Sequence, residues 1–354
     1  MVKLSDDDQE GGKMARTKRI FISDIHLSSR ERYNAPEESK RARFNPKKHQ
    51  ARLVNFLNKT ILENEEDVKD LVLVGDIFDD WVCPPDEAPP TFVEIFQSNF
   101  EIMGALNAIA RSEINLYCLF GNHDYSLKKS EIQLEIPSVI FQKTYDDPQL
   151  KLHAEHGNQH VLFNKSHSGI ANGRPIGYFV TRLSEHLGGY VHRFHDLISY
   201  SDDAVEWAAG KSNFFASILE ALAERAKVND VIMNSKGSKL SIDNIKKMYE
   251  PLAAKYSLFT AVKKMMQEGE LEELADRLSA KKGYKIVIFG HTHKAKIDKD
   301  SVFVADRIYA NTGCWSQKKA HCVIVDVDTD QKVTVKLCRV ENSGRAVQVE
   351  KETI

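Results

Sequence analysis

Four short polar segments of the chain carry residue types that bind metal ions, and each follows an apolar, β-branched run. They are Asp24-Ile25-His26, Gly75-Asp76, Gly121-Asn122-His123-Asp124 and Gly290-His291-Thr292-His293. Such runs are typical of buried strands, and the carboxyl ends of parallel strands meet at one edge of a sheet. The sequence therefore predicts that carboxylate, amide and imidazole groups converge at this edge, in a site for phosphoester chemistry.

Spacing within the segments supports convergence on an ion. Asp24 and His26 are two residues apart, as are His291 and His293, so both members of each pair can lie on the same side of an extended chain. Asp24 and His26 can therefore reach one ion, and His291 and His293 repeat this spacing.

Two further ligands are expected where glycine precedes an oxygen donor. Asp76 and Asn122 each follow a strand and a glycine, which lets the backbone turn sharply and lets a carboxylate lie between two cations. His156 adds an imidazole after the apolar run at 150–155, and His153 and His160 compete with it for this role.

The predicted ligand set combines three oxygen donors with four imidazoles. Its members are Asp24, His26, Asp76, Asn122, His156, His291 and His293. This mixture suits Mn²⁺, Fe²⁺ or Zn²⁺ better than Ca²⁺, and it predicts two divalent transition-metal ions, with Mn²⁺ favoured and Fe or Zn as alternatives. Two such ions can hold a bridging hydroxide as nucleophile and clamp the phosphoryl oxygens during in-line attack.

Catalysis also needs a proton for the leaving group. His123 lies beside the ligand Asn122 and is predicted to be the general acid, with the neighbouring Asp124 holding its imidazole.

The elements that position these residues fall into three regions. Strand-like runs alternate with helical stretches over residues 19–155, which indicates an α/β fold with a largely parallel sheet, and strands return over 285–340 with the alternation of an antiparallel sheet. Between them, helical periodicity indicates an insertion or cap. The predicted division is a disordered leader at 1–18, a core of 19–162 and 283–342, a helical insertion at 163–282, and a tail at 343–354.

Composition narrows the class of partner. The chain has 354 residues, 42% hydrophobic and 28% charged, with net charge −2, so overall charge does not indicate nucleic acid or an anionic membrane surface as partner. Five cysteines without a C-x-x-C pair predict reduced thiols and a cytoplasmic location. We expect neither a secretory leader nor a transmembrane segment; peripheral membrane contact and oligomeric state are left open.

Taken in order, the motifs D-x-H, G-D-x-x-D, G-N-H-D, H-G and G-H-T-H resemble those of the calcineurin-like metallophosphoesterase superfamily over residues 19–293. The resemblance implies a four-layer αββα sandwich, with the helical insertion between the last two motifs. It also implies the ligand assignment: Asp24, His26 and His293 for the first metal, Asn122, His156 and His291 for the second, and Asp76 as the bridge.

The run Gly75-Asp76-Ile77-Phe78-Asp79-Asp80-Trp81 is similar to the G-D-x-F-D-x-W signature of UDP-2,3-diacylglucosamine diphosphatases. These diphosphatases typically carry arginine where this chain has His123 and aspartate where it has Asn158. We therefore expect a relative with a different, unassigned substrate.

Residues around the motifs allow less specific predictions. Asp79 is expected to be a hydrogen-bond partner of the site, Asp80 a surface carboxylate, and Trp81 a packing residue, with substrate stacking as its alternative. Two insertion arginines, Arg182 and Arg193, are expected at the surface or against a substrate phosphate.

Two groups of charged or titratable residues have surface roles as the default. The basic stretch at 40–48, which includes Arg41, Arg43 and Lys47, is expected to be a solvated loop or to attract a polyanion. The histidines His186, His192 and His195 are expected to be solvated or interhelical.

The sequence thus predicts a dimetal phosphohydrolase that cleaves a phosphoester or pyrophosphate bond of a small molecule, which could be nucleotide-diphosphate-linked. The first alternative is a nuclease, which should show a basic, aromatic-studded groove and salt-dependent binding. The second is a non-catalytic scaffold, against which the full set of ligands and His123 argue.

Overall fold

The computed structural model describes residues 16–34, 43–185, 214–255, 271–299 and 304–354. Within them, two β-sheets pack face to face and helices cover their outer surfaces.

The larger sheet has seven strands in the order β14-β13-β12-β1-β2-β3-β4. Strands β1, β2, β3 and β4 are parallel, and the antiparallel strands β12, β13 and β14 extend the sheet beyond β1. Their bounds are β1 Lys18–Ile22, β2 Val68–Val74, β3 Asn115–Leu119, β4 Ile140–Gln142, β12 Ala320–Val327, β13 Val333–Val340 and β14 Ala346–Thr353.

The smaller sheet has five strands in the order β10-β11-β9-β6-β5. Its three central strands are parallel, and its two outer strands run antiparallel to them. The bounds are β5 Tyr145–Asp147, β6 Leu152–Glu155, β9 Ile286–Phe289, β10 Lys296–Lys299 and β11 Ile308–Asn311.

Nine α-helices are described. They are α1 Arg30–Asn34, α2 Pro46–Asn55, α3 Phe92–Ser98, α4 Phe100–Arg111, α5 Lys129–Glu135, α6 Ile176–Glu185, α7 Phe214–Ala226, α8 Ile242–Lys255 and α9 Glu272–Lys282. Helix α2 continues as a π-helical turn, Phe56–Ile61. A capping box of Thr91 and Glu94 begins α3, which fixes the entry of the chain into this helix.

Apolar packing joins these elements into four layers. Phe21 and Val72 of the larger sheet pack with Ile286 of the smaller sheet in the space between the sheets. The outer face of the larger sheet is covered by side chains of α2 and α4. On the far side, Ala275 of α9 packs with Phe289. Each fully buried large side chain contributes roughly 1.5 to 3 kcal/mol. The predicted α/β class and its αββα layering are confirmed.

Helices α6, α7 and α8 form a separate apolar cluster that includes Phe179, Leu219 and Tyr249, and Trp81 from the loop after β2 joins it. The short hairpin β7 (Asp230–Ile232) and β8 (Lys239–Ser241) lies in the same region, where only helices were expected. Strands of three residues are too short to show an alternating pattern. The domain boundaries themselves stay a prediction.

The segment 343–354, expected as a tail, instead contributes β14, which pairs with β13. It is polar and largely exposed, so it lacks the apolar pattern of a buried strand. Within the region 285–340, where strands were expected, Ala305 lies in a turn.

All five cysteines are buried and none forms a disulfide, as expected of reduced thiols. None of the helices in the described ranges combines the length and the apolar character that crossing a membrane requires.

Candidate metal centre

The candidate metal centre lies where strands of both sheets end. Strands β1, β2 and β3 are parallel neighbours, so Asp24, Asp76 and Asn122, which follow them, come side by side. In the smaller sheet, β6 and β9 are parallel neighbours, which does the same for His156 and His291. The facing sheets therefore bring both sets of side chains to one edge of the core.

Left-handed backbone recurs at these strand ends. The angle φ is 53° at Asp24, 58° at His26, 53° at Asp76, 68° at His291 and 59° at His293. In residues other than glycine this conformation costs on the order of 1 to 3 kcal/mol and is concentrated at functional sites. Five of the seven predicted ligands thus hold strained turns that redirect their side chains.

Close approach explains two of the motif glycines. A Cβ atom on Gly121 would overlap the carboxylate of Asp76, and one on Gly290 would lie 2.7 Å from Asp24 Oδ2. These positions must be glycine for the carboxylates to occupy their places.

The first group of donors joins Asp24, His26 and His293, whose ligand atoms lie within 4.8 Å of one another. Asp24 Oδ1 is 3.0 Å from His293 Nε2, and His26 Nε2 is 3.2 Å from the same nitrogen. The other oxygen of Asp24 accepts hydrogen bonds from the Ser23 hydroxyl and from the His291 amide. Those bonds fix the carboxylate with Oδ1 facing the two imidazoles.

The second group joins Asp76, His156 and His291 within the same 4.8 Å limit. His156 Nδ1 donates to the carbonyl oxygen of Val74 at 2.8 Å, which leaves Nε2 as the ligand atom, 3.2 Å from Asp76 Oδ2. A backbone partner on the far nitrogen is typical of histidines that bind metal.

Three donor atoms test whether the residues fit metal ions. Asp24 Oδ1, Asn122 Oδ1 and His156 Nε2 are buried and form no hydrogen bond among the described residues. Two of these atoms face ligand atoms of their own groups, since Asp24 Oδ1 lies 3.0 Å from His293 Nε2 and His156 Nε2 lies 3.2 Å from Asp76 Oδ2. Divalent cations would satisfy all three, so the donors fit the predicted ions. Bridging by Asp76 stays a prediction.

The pKa values of the buried imidazoles shift in different directions. Burial would lower the pKa of His156, but the carboxylates of Asp76 and Asp24 outweigh it and raise this pKa to about 10. Burial lowers the pKa of His26 to about 4, with Arg43 contributing, and the pKa of His291 to about 3, with His156 contributing. Both rings are therefore neutral near pH 7, as a metal ligand must be. Burial alone would raise the pKa of Asp24, but the nearby His293 and His156 outweigh it and keep the carboxylate ionised.

Asp79 connects the candidate ligands to His123. Its Oδ2 accepts a hydrogen bond from His26 Nδ1 and its Oδ1 accepts one from His123 Nδ1, each at 3.0 Å. Burial would raise the pKa of Asp79, but His123 and His26 outweigh it and lower the pKa well below its ordinary value. The two rings stand perpendicular with centroids 4.8 Å apart. The prediction that Asp79 is a hydrogen-bond partner of the site agrees with this geometry.

The prediction that Asp124 holds the imidazole of His123 is wrong. The Asp124 carboxylate accepts hydrogen bonds from the amides of Ile77 at 2.8 Å and Gly121 at 2.7 Å, and so joins the loops after β2 and β3. The partner of His123 is Asp79, 44 residues earlier in the chain.

Comparison with known proteins decides the family. A family model described as calcineurin-like phosphoesterase matches residues 17–295. The chain belongs to the calcineurin-like phosphoesterase family. Members of this family depend on metal, and the two groups of donors described above are clusters that could bind it.

Solved structures give distant likenesses. A predicted phosphoesterase from Streptococcus pneumoniae TIGR4 has 9% identity and a TM-score of 0.36, with 96% of this chain and 98% of that chain covered. Wild-type Vps29 of Entamoeba histolytica in complex with Zn²⁺ has 9% identity and a TM-score of 0.30, with 95% and 98% covered. A search of curated proteins found no match.

Two residues that follow Asp79 bear on the predictions for this chain: the prediction for Asp80 is wrong, and that for Trp81 becomes more specific. Asp80 is 6% exposed and accepts a hydrogen bond from Ser126, so its expected surface position is wrong; burial raises its pKa to about 6. Trp81 packs its ring 4.4 Å from the His123 ring and edge-on to Tyr178 at 5.7 Å. Trp81 therefore links His123 to the helical cluster.

The competing histidines do not join the donor groups. His153 Nδ1 contacts Asp146 at 2.8 Å, and His160 Nε2 contacts Glu155 at 2.8 Å. Of the three candidates after β6, the structure brings His156 to the other ligands.

Arg182 is neither a surface residue nor a phosphate ligand, contrary to expectation. Its side chain is fully buried and donates to the carbonyl oxygens of Cys83, Pro84 and Glu87 and to the Tyr178 hydroxyl. Arg193, Arg41 and the histidines His186, His192 and His195 lie outside the described residues.

Two donors at the rim were not singled out by any motif. Arg43 Nη1 lies 3.4 Å from His26 Nε2, and Asn164 Nδ2 lies 3.4 Å from His291 Nε2. Arg43 belongs to the basic stretch expected to be a solvated loop or an anion attractant. Asn164 is an isolated asparagine eight residues after His156, and its sequence context carries no signal.

Proposed function

We propose that this phosphoesterase is a dimetal phosphohydrolase acting on a small phosphoester or pyrophosphate. The observation that supports it most is the pair of donor groups, Asp24 with His26 and His293 and Asp76 with His156 and His291, beside which Asn122 Oδ1 is buried without a hydrogen-bond partner among the described residues. Two divalent ions, with Mn²⁺ favoured, would supply Lewis acidity and activate water for in-line attack at phosphorus.

Within this proposal, His123 donates the proton to the leaving group. Asp79 accepts a hydrogen bond from Nδ1 of His123, which leaves Nε2 as the atom that can hold a transferable proton. The same carboxylate stabilises the charged imidazole, and Trp81 covers one face of the ring. The ring is therefore oriented and shielded before substrate binds.

The helical cluster is proposed to select the leaving group. Trp81 contacts both His123 and Tyr178, and Tyr178 belongs to α6, so the cluster reaches the site on the side of the general acid. This contact supports a role for the insertion at 163–282 in substrate selection. The expected cytoplasmic location would supply nucleotide-linked and other small phosphoesters as substrates.

The test combines metal analysis with a substrate screen. Metal-free protein is reloaded with Mn²⁺, its metal content is measured by mass spectrometry, and turnover is followed with 4-nitrophenyl phosphate, bis(4-nitrophenyl) phosphate, nucleotides, UDP-sugars and single-stranded DNA. We expect bound metal and turnover of small phosphoesters in the unmodified protein. Asp76→Asn should lose both metal and turnover.

The variant His123→Ala tests the role of the proton donor independently of metal binding. This variant should keep its metal and lose turnover by about 10²-fold, with a larger loss for alkyl esters than for nitrophenyl esters, whose leaving groups need no proton. Equal activity of the variant and the unmodified protein would remove His123 from the mechanism. Metal binding without turnover of any substrate would favour a scaffold, and preferred cleavage of DNA would favour a nuclease.

A further inference from the structure

Arg43 places a positive charge at the rim of the candidate metal centre. Its Nη1 atom lies 3.4 Å from His26 Nε2, the nitrogen that faces His293 in the first donor group. The adjacent Phe44 is fully buried in the core under α2, so the backbone beside Arg43 is fixed. The backbone at Arg43 is therefore held at the edge of the core, within reach of the first donor group.

The charge of Arg43 is not neutralised by the protein in the described residues. Its side chain is exposed and forms no ion pair with a described carboxylate, whereas Arg19 and Arg32 each pair with one. A guanidinium beside a centre that holds cations is repelled by them, because like charges at short distance are unfavourable. The position of the guanidinium becomes favourable when an anion lies between it and the cations.

The opposite flank of the site differs in charge. Asn164 places an amide 3.4 Å from His291 Nε2, so the second donor group is bordered by a neutral donor. A phosphoryl group lying across both donor groups would meet a cation on one side and a neutral amide on the other.

We propose that Arg43 binds a non-bridging oxygen of the phosphoryl group and makes the site selective for dianionic phosphomonoesters over monoanionic phosphodiesters. A monoester carries the additional charged oxygen that a guanidinium can bind, whereas a diester has this oxygen esterified. The inference rests on the proposed hydrolase function and specifies its substrate class.

The kinetic test compares four Mn²⁺-loaded proteins: the unmodified protein, Arg43→Gln, Arg43→Lys and Lys47→Gln. Lys47 is an exposed cation of the same segment at the start of α2, so its variant removes the same charge away from the site. For Arg43→Gln we expect kcat/KM for 4-nitrophenyl phosphate to fall by about tenfold or more, and kcat/KM for bis(4-nitrophenyl) phosphate by less than about threefold. Arg43→Lys should retain part of the preference, and Lys47→Gln all of it.

A binding measurement keeps the inference independent of turnover. Isothermal titration of the same proteins with inorganic phosphate and with dimethyl phosphate, at equal measured metal content, should show an affinity loss of about tenfold for phosphate alone in Arg43→Gln. Equal losses for both anions, or no loss for phosphate, would overturn the inference. If phosphate binding depends on Arg43 but no substrate is hydrolysed, the proposed function fails and the role of Arg43 stands.

Discussion

At the scale of single residues, Asp79 couples the candidate metal centre to the candidate proton donor. One carboxylate oxygen accepts from His26 and the other from His123, and backbone amides of Trp81 and Val82 hold the carboxylate in place. Because each oxygen serves a different ring, no other side chain is needed to orient both.

Asp79→Asn should therefore affect metal binding and catalysis together. The amide nitrogen replaces one acceptor with a donor, so one of the two rings loses its partner or changes tautomer. We expect Mn²⁺ affinity to fall by about 10- to 100-fold, as is usual when a partner of a metal-binding histidine is changed, and kcat to fall as well. Affinity is measured by competition with a chelator, and kcat with 4-nitrophenyl phosphate.

Asp80→Asn is the matched control for this variant. Asp80 is the next residue, is equally buried, and bonds Ser126 rather than a histidine. It should change neither quantity by more than about threefold, since the Asp80 carboxylate bonds Ser126 and neither imidazole. Unaltered metal affinity and kcat in Asp79→Asn would contradict the coupling role.

The spacing of polar residues at strand ends was enough to predict which side chains would meet. Asp24 lies with His26 and His293, and Asp76 lies with His156 and His291, because parallel neighbouring strands end together. The partner of His123 could not be read this way. Asp124 adjoins His123 in the chain, but its carboxylate points to backbone amides of two loops, and spatial proximity made Asp79 the partner.

At the scale of elements, the buried guanidinium of Arg182 attaches the helical cluster to the loop after β2. Arg182 of α6 donates at 2.8 Å to Cys83, at 2.7 Å to Pro84 and at 2.6 Å to Glu87, all through backbone carbonyl oxygens. The hairpin adds a contact to the same loop, since the amide of Ile232 donates to Pro85. Trp81 belongs to the same loop and packs against the His123 ring, so the attachment lies close to His123.

Arg182→Met should loosen this attachment. The variant keeps much of the volume but leaves carbonyl oxygens without a donor, and bonds from a charged donor contribute roughly 1.5 to 3 kcal/mol each. We expect the free energy of unfolding to fall by at least about 3 kcal/mol, measured by urea denaturation. Hydrogen exchange should rise in α6 and the loop at 83–87.

Arg225→Met provides the comparison on a neighbouring helix. Arg225 is exposed on α7, so its replacement should change stability by less than about 0.5 kcal/mol. If both variants were equally stable and exchanged alike, Arg182 would not be the attachment.

Helices were predictable where apolar periodicity was strong. The described helices α7 and α8 lie within the region 163–282, where helical periodicity indicated an insertion. The hairpin β7-β8 and the edge strand β14 were missed for physical reasons. The first is too short to show a period, and the second pairs through its backbone while its side chains face solvent.

At the scale of the whole molecule, the candidate centre joins the two sheets. Asp24, Asp76 and Asn122 extend from the larger sheet, while His156 and His291 extend from the smaller one. Resemblance predicted the layering of the two sheets. Sequence periodicity assigned the strands before and after the helical insertion to different sheets, which is wrong, because each sheet combines strands from both regions. The packing of one sheet on the other is what makes their separate sets of ligands a single site.

Metal ions bound across this junction should stabilise the entire fold. Ions that bind the native state and not the unfolded chain add about 2.7 kcal/mol at a concentration 100 times the dissociation constant. We expect Mn²⁺ to raise the melting temperature of metal-free protein by several degrees, measured by scanning calorimetry, and a chelator to reverse the shift.

His156→Gln should lose most of this shift because one buried donor of the second group is removed. His153→Gln should keep it, since His153 lies three residues away and contacts Asp146 instead. A shift lost in His153→Gln and kept in His156→Gln would mean that His153, and not His156, is the ligand. Equal melting temperatures with and without Mn²⁺ would mean that no ion links the sheets.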